Sequence, residues 1–224
     1  QYGGYPNGEM AILLEGAVEA ALGPSERSWA VEKLAAHHNF SADRLGKALR
    51  TISSLLHDPE TDEDLTRDLK VLRWRILQQE SDFDETISLM NTAKTSDAKL
   101  RYAIWLMDTN HVSETLDLLK PLLEMKNTVA MLLATECYIR RSDASSASEV
   151  FSKIDSSGLT MPQFVNGYAY VRGLLVLAGC RDDLELTAIR DLEALREDKA
   201  GDAQAMEALL QALRIRANER VKSS

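Results

Sequence analysis

The chain has 224 residues, of which 45% are hydrophobic and 27% charged, and this ordinary globular composition excludes wholesale disorder. Its 26 Lys and Arg against 35 Asp and Glu give a net charge of −9, the wrong sign for a protein that mainly binds nucleic-acid phosphates. The longest apolar runs, residues 129–134 and 173–178, are far shorter than the roughly 20 residues that cross a bilayer. We therefore expect neither a nucleic-acid partner nor a transmembrane segment.

The first eight residues, QYGGYPNG, contain three glycines, a proline and two tyrosines, which predicts a flexible arm rather than a helix. Because the sequence starts with Gln1 and not with Met, we expect that an upstream segment has been removed by processing or is absent from this sequence. We expect an intracellular soluble protein, with a processed periplasmic or organellar form as the alternative.

The first predicted helix covers residues 9–22 and ends where a glycine and a proline follow, since both residues break helices. Ser25 is the predicted N-cap of the second helix. The apolar side of this second helix carries Trp29 and Leu34 together with neighbouring alanines.

A third helix is predicted to begin at Ser41 or Asp43 and to end at Asp58 and Pro59. Apolar residues at helical spacing form its core-facing stripe. They are Leu45, Leu49, Ile52, Leu55 and Leu56.

The start of a longer helix is indicated by Thr61 followed three residues later by Asp64, a pair that resembles a capping box. The acidic residues around this pair lie where the helix dipole favours negative charge. We predict that this helix runs to about Gln79.

One helical hairpin pattern recurs three times between Leu69 and Ile154. In register, the segments read LKVLRWRILQQESDFDETISLM, KLRYAIWLMDTNHVSETLDLL and VAMLLATECYIRRSDASSASEVF. The equivalent turn positions Phe83, Val112 and Ala144 are 29 and 32 residues apart. A period near 30 residues predicts a stack of helix pairs, an architecture that mostly binds other proteins.

The third segment has large and small residues at spacings that resemble the tetratricopeptide-repeat signature. They are Ala134, Tyr138, Ala147, Phe151 and Ile154. The second segment carries Tyr102, Ala103, Leu106, Thr115, Leu119 and Leu122 in the equivalent places. The first carries Leu77, Thr86, Met90 and Ala93, with Trp74 where a small residue is expected, so this repeat is degenerate.

The resemblance implies an all-α protein that folds as a right-handed α-solenoid of antiparallel helix hairpins, with about twelve helices. An irregular helical bundle whose amphipathic helices imitate a repeat is the alternative. We expect a flexible arm at 1–8, a helical segment of divergent repeats at 9–60, the repeats at 61–160, and a helix pair with a capping helix at 161–224.

The C-terminal helix pair is predicted at residues 161–177 and 184–195, with its turn at Gly179 and the cluster Arg181-Asp182-Asp183. The last helix is predicted at residues 202–221. One face of it carries Met206, Leu209, Leu210 and Leu213.

Two further features leave alternatives open. Because Pro121 removes a backbone hydrogen bond, its helix either kinks or ends before Lys120. The basic residues of the last helix either balance the helix dipole or form a docking patch for an acidic partner. They are Arg214, Arg216, Arg220 and Lys222.

No metal, cofactor or catalytic signature is present in the sequence. His37 and His38 are adjacent, so on a helix their side chains diverge by about 100° and do not share one metal. Cys137 and Cys180 have no CxxC partner and are predicted to be buried free thiols. We predict no cofactor, no bound metal and no enzymatic activity.

If the resemblance holds, the first helix of each hairpin lines the concave side, which in this family typically grips peptides. Outward positions on these helices are the candidate partner-binding residues. They are Arg75, Gln78, Gln79, Arg101, Ile104, Asp108, Glu136, Ile139 and Arg140. The asparagine and lysine clamp of the family's chaperone-binding members is missing at these positions, so a carboxylate-clamp cochaperone is not expected.

The leading functional hypothesis is a protein–protein interaction adaptor or assembly subunit that presents this groove to a protein or peptide partner, as part of a larger complex. The alternative is a secretion or folding chaperone that shields an apolar segment of a client. A divergent helical enzyme with a site between hairpins is the third hypothesis.

Overall fold

The computed structural model describes residues 16, 23–36, 42–156, 159, 162–197 and 203–223. Within these ranges it contains eleven α-helices and no strand, so the all-α prediction is confirmed. Their bounds are α1 Pro24–Ala36, α2 Ala42–Leu56, α3 Glu63–Leu77, α4 Phe83–Asn91, α5 Ser96–Asp108, α6 Val112–Glu124, α7 Thr128–Arg140, α8 Ala144–Ser152, α9 Pro162–Leu177, α10 Glu185–Glu197 and α11 Ala203–Ser223.

Several predicted features lie outside the described residues. The N-terminal arm at 1–8 and nearly all of the helix predicted at 9–22 belong to this group, as do His37 and His38. In the part of the chain that is described, no helix is both long enough and apolar enough to cross a bilayer.

The chain divides into two compact units, the first reaching Ala93 and the second beginning at Lys94. In the first unit α1 packs against α2 and α3, α2 packs against α3, and α3 packs against α4. On the stripe predicted for α2, Ile52 and Leu55 are fully buried, whereas Leu45, Leu49 and Leu56 are only partly buried. Ala48, which was not predicted for this stripe, is also fully buried.

The start of α1 differs from the prediction. The helix begins at Pro24, so Ser25 lies within its first turn and is not the N-cap. Proline suits this first position because its missing N–H would have no partner there. Trp29 is 47% exposed, whereas Ala30 and Val31 are buried, so the predicted apolar side is wrong for the tryptophan.

The cap of α3 is Asp62 and not Thr61, so the predicted capping residue is wrong by one position. Asp62 Oδ1 accepts a hydrogen bond of 2.7 Å from the Leu65 N–H, which satisfies a backbone donor of the first turn. The Thr61 hydroxyl instead donates to the Leu55 carbonyl at 2.7 Å and ties the helix to the end of α2.

In the second unit, α5, α7 and α9 are the first helices of successive hairpins, and neighbours in this series pack side by side. Each of them also packs against the second helix of its own hairpin, α6, α8 or α10. The last helix, α11, packs against both α9 and α10. Each hairpin thus buries its apolar side chiefly against its neighbours in sequence.

The predicted equivalence of the three turn positions is confirmed, because Phe83, Val112 and Ala144 are each the first residue of a second helix. The residues three, seven and ten positions further on are all buried. After Phe83 they are Thr86, Met90 and Ala93. After Val112 they are Thr115, Leu119 and Leu122, and after Ala144 they are Ala147, Phe151 and Ile154. One packing pattern therefore repeats through these second helices.

Five residues in the described connections adopt the left-handed conformation, and four of them end their helices in the same way. These four are Asn110, Lys126, Ser142 and Gly179, with φ of 63°, 56°, 59° and 74°. In each, the following N–H donates to a carbonyl five residues earlier, at 2.8 to 2.9 Å. This is the hydrogen bond that closes a Schellman motif. The helices thus end alike whether or not glycine is present.

Lys126→Gly is expected to raise the free energy of unfolding of the second unit by about 0.5–1 kcal/mol, because glycine adopts positive φ without steric cost. Ala208→Gly, at an exposed position within α11, is the matched control and is expected to cost about 1 kcal/mol. Urea denaturation of both variants checks the pair. Destabilisation by Lys126→Gly would show that the lysine side chain contributes more to stability than relief of the backbone strain does.

The first hairpin has a longer connection than the next two. Gln78, with φ of 48°, ends α3, and Glu80–Asp82 forms a 3-10 turn before Phe83. Trp74 lies four residues before the left-handed Gln78, and Leu106 lies four residues before the left-handed Asn110. Trp74 is therefore the equivalent of Leu106 in the second hairpin. Trp74 is buried and its ring lies 5.5 Å from that of Phe83, so it fills a place for a large residue.

Pro121 does not end its helix. The helix α6 runs from Val112 to Glu124, so the interpretation that it stops before Lys120 is wrong. The Pro121 carbonyl accepts the Met125 N–H at 3.3 Å, and the backbone pattern therefore continues past the ring.

The predicted face of the last helix is confirmed. The side chains named for it, Met206, Leu209, Leu210 and Leu213, are buried in one cluster with Leu192 and Val176. This cluster joins α9, α10 and α11.

The three arginines of α11 form ion pairs within the chain. Arg216 and Arg220 donate to the two carboxylate oxygens of Asp182 at 2.5 Å, and Arg214 donates to Glu193 at 2.5 Å. Arg220 and Arg216 hold the pKa of Asp182 below its usual value, because their hydrogen bonds favour the carboxylate. Arg220 and Lys222 also lie in the last turn of α11, where positive charge suits the helix dipole. The ion pairs occupy the three arginines within the chain, whereas the docking patch stays a prediction.

Candidate functional site

The nine candidate residues fall into two groups. Six of them lie on α5 and α7 of the second unit: Arg101, Ile104, Asp108, Glu136, Ile139 and Arg140. The other three, Arg75, Gln78 and Gln79, lie in the first unit. Because α5 and α7 pack side by side, the structure brings the first group together.

On α5, the large apolar side chain of Ile104 is 42% exposed. Arg101 and Asp108 lie about one turn before and after it on the same side of the helix. The guanidinium carbon of Arg101 lies 5.6 Å from the Tyr102 ring and 5.8 Å from the Trp105 ring. The arginine is therefore held against buried aromatic side chains rather than extended freely into solvent.

On α7, Glu136 and Arg140 form an ion pair, in which Arg140 Nη2 and Nε donate to Glu136 Oε1 at 2.6 and 3.1 Å. Arg140 Nη1 also donates to the Met107 carbonyl at 2.9 Å, at the end of α5. Arg140 therefore links two hairpins. Its contacts within the chain compete with the predicted pairing to a partner's acidic side chain.

One of the predicted positions on α7, Ile139, does not face outward as expected. Ile139 is partly buried and packs against the cluster that contains Met131, Leu132 and Phe151. Sequence spacing placed it beside Glu136 and Arg140, but neighbouring positions on a helix point about 100° apart. Ile139 contributes to the core between α7 and α8.

In the first unit, Arg75 is half-buried on α3. The predicted helix to Gln79 is two residues too long, because α3 ends at Leu77. Gln78 is the left-handed C-cap and Gln79 precedes the 3-10 turn. These two glutamines therefore do not share a helix face with Arg75.

A pocket of ≈ 160 Å³ lies between α3 and α4 in the first unit. Its lining combines buried apolar groups with exposed charged ones. The residues are Lys70, Arg73, Trp74, Leu77, Asp82, Glu85, Thr86 and Leu89. The sequence does not predict this site. One of its lining residues, Asp82, lies in the longer connection of the first hairpin, and no glycine or proline marks that connection.

Among the described residues, no three histidine, cysteine, aspartate or glutamate side chains converge as metal ligands. His57 Nδ1 donates to the Ser53 carbonyl at 2.7 Å and so caps the end of α2. His111 is the residue before α6.

The two cysteines are free, and they differ in exposure. Cys137 is fully buried on α7, and burial raises its pKa to about 12. Cys180 is only partly buried, so the prediction of a buried thiol is wrong for this residue. Burial also raises its pKa, and nearby Asp182 adds to the shift.

Iodoacetamide at pH 8 is expected to label Cys180 well before Cys137. Burial raises the pKa of Cys137 to about 12, well above pH 8, so very little of this thiol is in the reactive thiolate form. Mass spectrometry of tryptic peptides over time measures both rates, with urea-unfolded protein as the control. Equal rates in the folded protein would contradict the burial of Cys137.

Comparison with protein-family models, with curated proteins and with solved structures finds no match.

Proposed function

We propose that this protein is a protein-interaction adaptor or assembly subunit, without enzymatic activity, whose working surface lies on α5 and α7. We name this surface, formed by Arg101, Ile104, Asp108, Glu136 and Arg140, the hairpin face. The observation that carries the proposal is an exposed apolar side chain, Ile104, among charged groups on two adjacent helices. Such a centre with a polar rim is the usual anatomy of an interface.

The hairpin face is also pre-organised. The Glu136–Arg140 pair and the hydrogen bond from Arg140 to the Met107 carbonyl fix one side of it. Arg101 packs against two aromatic rings on the other side. Side chains that are already ordered lose little conformational entropy on binding, so contacts made here contribute more of their energy to affinity.

As part of this proposal, the hairpins of the second unit wind as a right-handed α-solenoid of the tetratricopeptide-repeat kind. The side-by-side packing of α5, α7 and α9 supports it, as does the repeated burial pattern of the second helices. A helix such as α11 that closes the series is expected to be polar on its outer side. Most of its exposed positions are polar or charged, among them Gln204, Gln211, Asn218 and Glu219, and the exceptions are Ala208 and Ile215.

Ile104→Glu tests the proposal. Glutamate is a good helix former, and a surface substitution changes stability by only about 0.5 kcal/mol, so the fold is expected to persist. If a partner depends on Ile104, its recovery by affinity purification from the native source should fall at least about tenfold. Truncating a hot spot costs about 2 kcal/mol or more, and each 1.4 kcal/mol is a factor of ten in affinity.

Ile215→Glu is the matched control, because Ile215 is also an exposed isoleucine, at 59%, but on α11. The proposal predicts that this variant recovers the same specific partner as the unmodified protein. Equal recovery by Ile104→Glu and by the control would overturn the assignment of the surface. Recovery of many unrelated unfolded clients would instead favour the chaperone alternative.

A further inference from the structure

The pocket between α3 and α4 has an apolar interior and a charged rim. Trp74 and Thr86 are buried, at 5% and 4% exposure, and Leu77 and Leu89 are half-buried. The Thr86 hydroxyl donates to the Asp82 carbonyl at 2.7 Å, so its one donor hydrogen is already used. The interior therefore offers mainly apolar surface.

Its size argues against a small-molecule site. The volume of ≈ 160 Å³ is below the roughly 300–1,000 Å³ that is typical of ligand pockets. There is room for one side chain the size of leucine or phenylalanine. A ligand that places only one side chain here must gain the rest of its binding energy outside the pocket, as a segment of another protein does.

The rim is divided by charge. Lys70 and Arg73 are exposed on α3, and within the described part of the chain their side chains form no hydrogen bond or ion pair. Asp82 and Glu85 are exposed on the side of α4. Exposed pairs contribute only about 0–1 kcal/mol each, but opposite charges at the two edges fix the orientation of a bound segment.

We propose that this pocket binds a segment of a partner protein in which one leucine- or phenylalanine-sized side chain stands between an acidic and a basic residue. The apolar side chain enters beside Trp74, the acidic residue meets Lys70 and Arg73, and the basic residue meets the opposite edge. This inference rests on the proposed function in one respect, that the ligand is a protein. It uses different residues from the hairpin face.

The test is selection of a phage-displayed library of random 12-residue peptides on the full-length chain. The expected result is enrichment of peptides that share an acidic, an apolar and a basic residue in that arrangement. Synthetic versions of these peptides are expected to bind Lys70→Glu/Arg73→Glu at least tenfold more weakly. The milder variant Lys70→Gln/Arg73→Gln covers the case in which charge reversal prevents folding.

The matched control is Lys120→Glu/Arg190→Glu, which makes the same change in net charge at two exposed cations of the second unit. It is expected to bind the peptides as the unmodified protein does. Failure to enrich this motif, or equal binding by the α3 variants and the control, would overturn the inference.

The two proposals fail separately. If Ile104→Glu loses the native partner while no motif binds the pocket, only the pocket assignment is wrong. If the selected peptides bind as expected and Ile104→Glu keeps every partner, the hairpin face is wrong and the pocket stands.

Discussion

Phe151→Ala is expected to lower the free energy of unfolding of the second unit by about 3–5 kcal/mol. Phe151 is 3% exposed and belongs to the cluster that joins α7, α8 and α9. Its ring stacks on that of Tyr168 at 4.8 Å with an interplanar angle of 12°. The substitution removes both the buried area and the stacking contact, and it leaves a cavity where two hairpins meet.

Hydrogen exchange of peptides from residues 94–224 measures this loss in the second unit alone. Leu186→Ala is the matched control, because Leu186 is 83% exposed and its removal is expected to change stability by no more than about 0.5 kcal/mol. A cost below about 1 kcal/mol for Phe151→Ala would contradict the packing of α8 on α9.

Two glycines of α9 are expected to respond oppositely to the same substitution. A Cβ on Gly173 would lie 2.8 Å from Leu209 Cδ2 and 3.2 Å from Leu192 Cδ1, which are both buried. A Cβ on Gly167 would lie 3.7 Å from Leu132 Cδ1, an ordinary contact distance. Alanine therefore overpacks the first site and fits the second.

Gly167→Ala is expected to stabilise by up to about 1 kcal/mol, through the higher helix propensity of alanine. Gly173→Ala gains the same propensity and also suffers the clash, so the two variants should differ by about 1–3 kcal/mol. Because both variants gain the same helix propensity, the difference between their free energies of unfolding measures the cost of the clash where α9 lies close to α10 and α11. Urea denaturation measures both, and equal stabilities would contradict that approach.

The second helices of the repeated hairpins were predictable because their buried residues recur at fixed spacing. Phe83, Val112 and Ala144 mark them in the sequence, and each begins a helix. The first helix of the first hairpin was not predicted in register. Its connection is longer and turns at Gln78, a residue type that gives no signal for the left-handed conformation.

The sequence also predicted that Arg101, Ile104 and Glu136 lie on the first helices of their hairpins, since their places follow from helical spacing once the turns are known. It did not predict the role of Arg140. That role depends on a hydrogen bond to the Met107 carbonyl of a neighbouring helix, and a backbone acceptor leaves no trace in residue types. Ile139 was misplaced because one step along a helix turns a side chain toward the core.

The basic residues of α11 show the same limit. Their spacing suits either a dipole effect or a docking patch, and both readings treat the helix in isolation. Asp182 lies 34 residues before Arg216 in sequence, yet its carboxylate accepts from that guanidinium. Pairing over such a separation depends on the packing of α9, α10 and α11, which periodicity alone does not reveal.

Photo-crosslinking from position 104 tests the proposed interaction surface most directly. A benzophenone amino acid replaces Ile104 on α5 in one protein and Ile215 on α11 in another, both exposed isoleucines. Irradiation in the native source, followed by mass spectrometry, identifies whatever protein lies against each position. The proposal predicts a specific protein crosslinked at position 104 and absent at position 215. No crosslink at 104, or the same products at both positions, would contradict it.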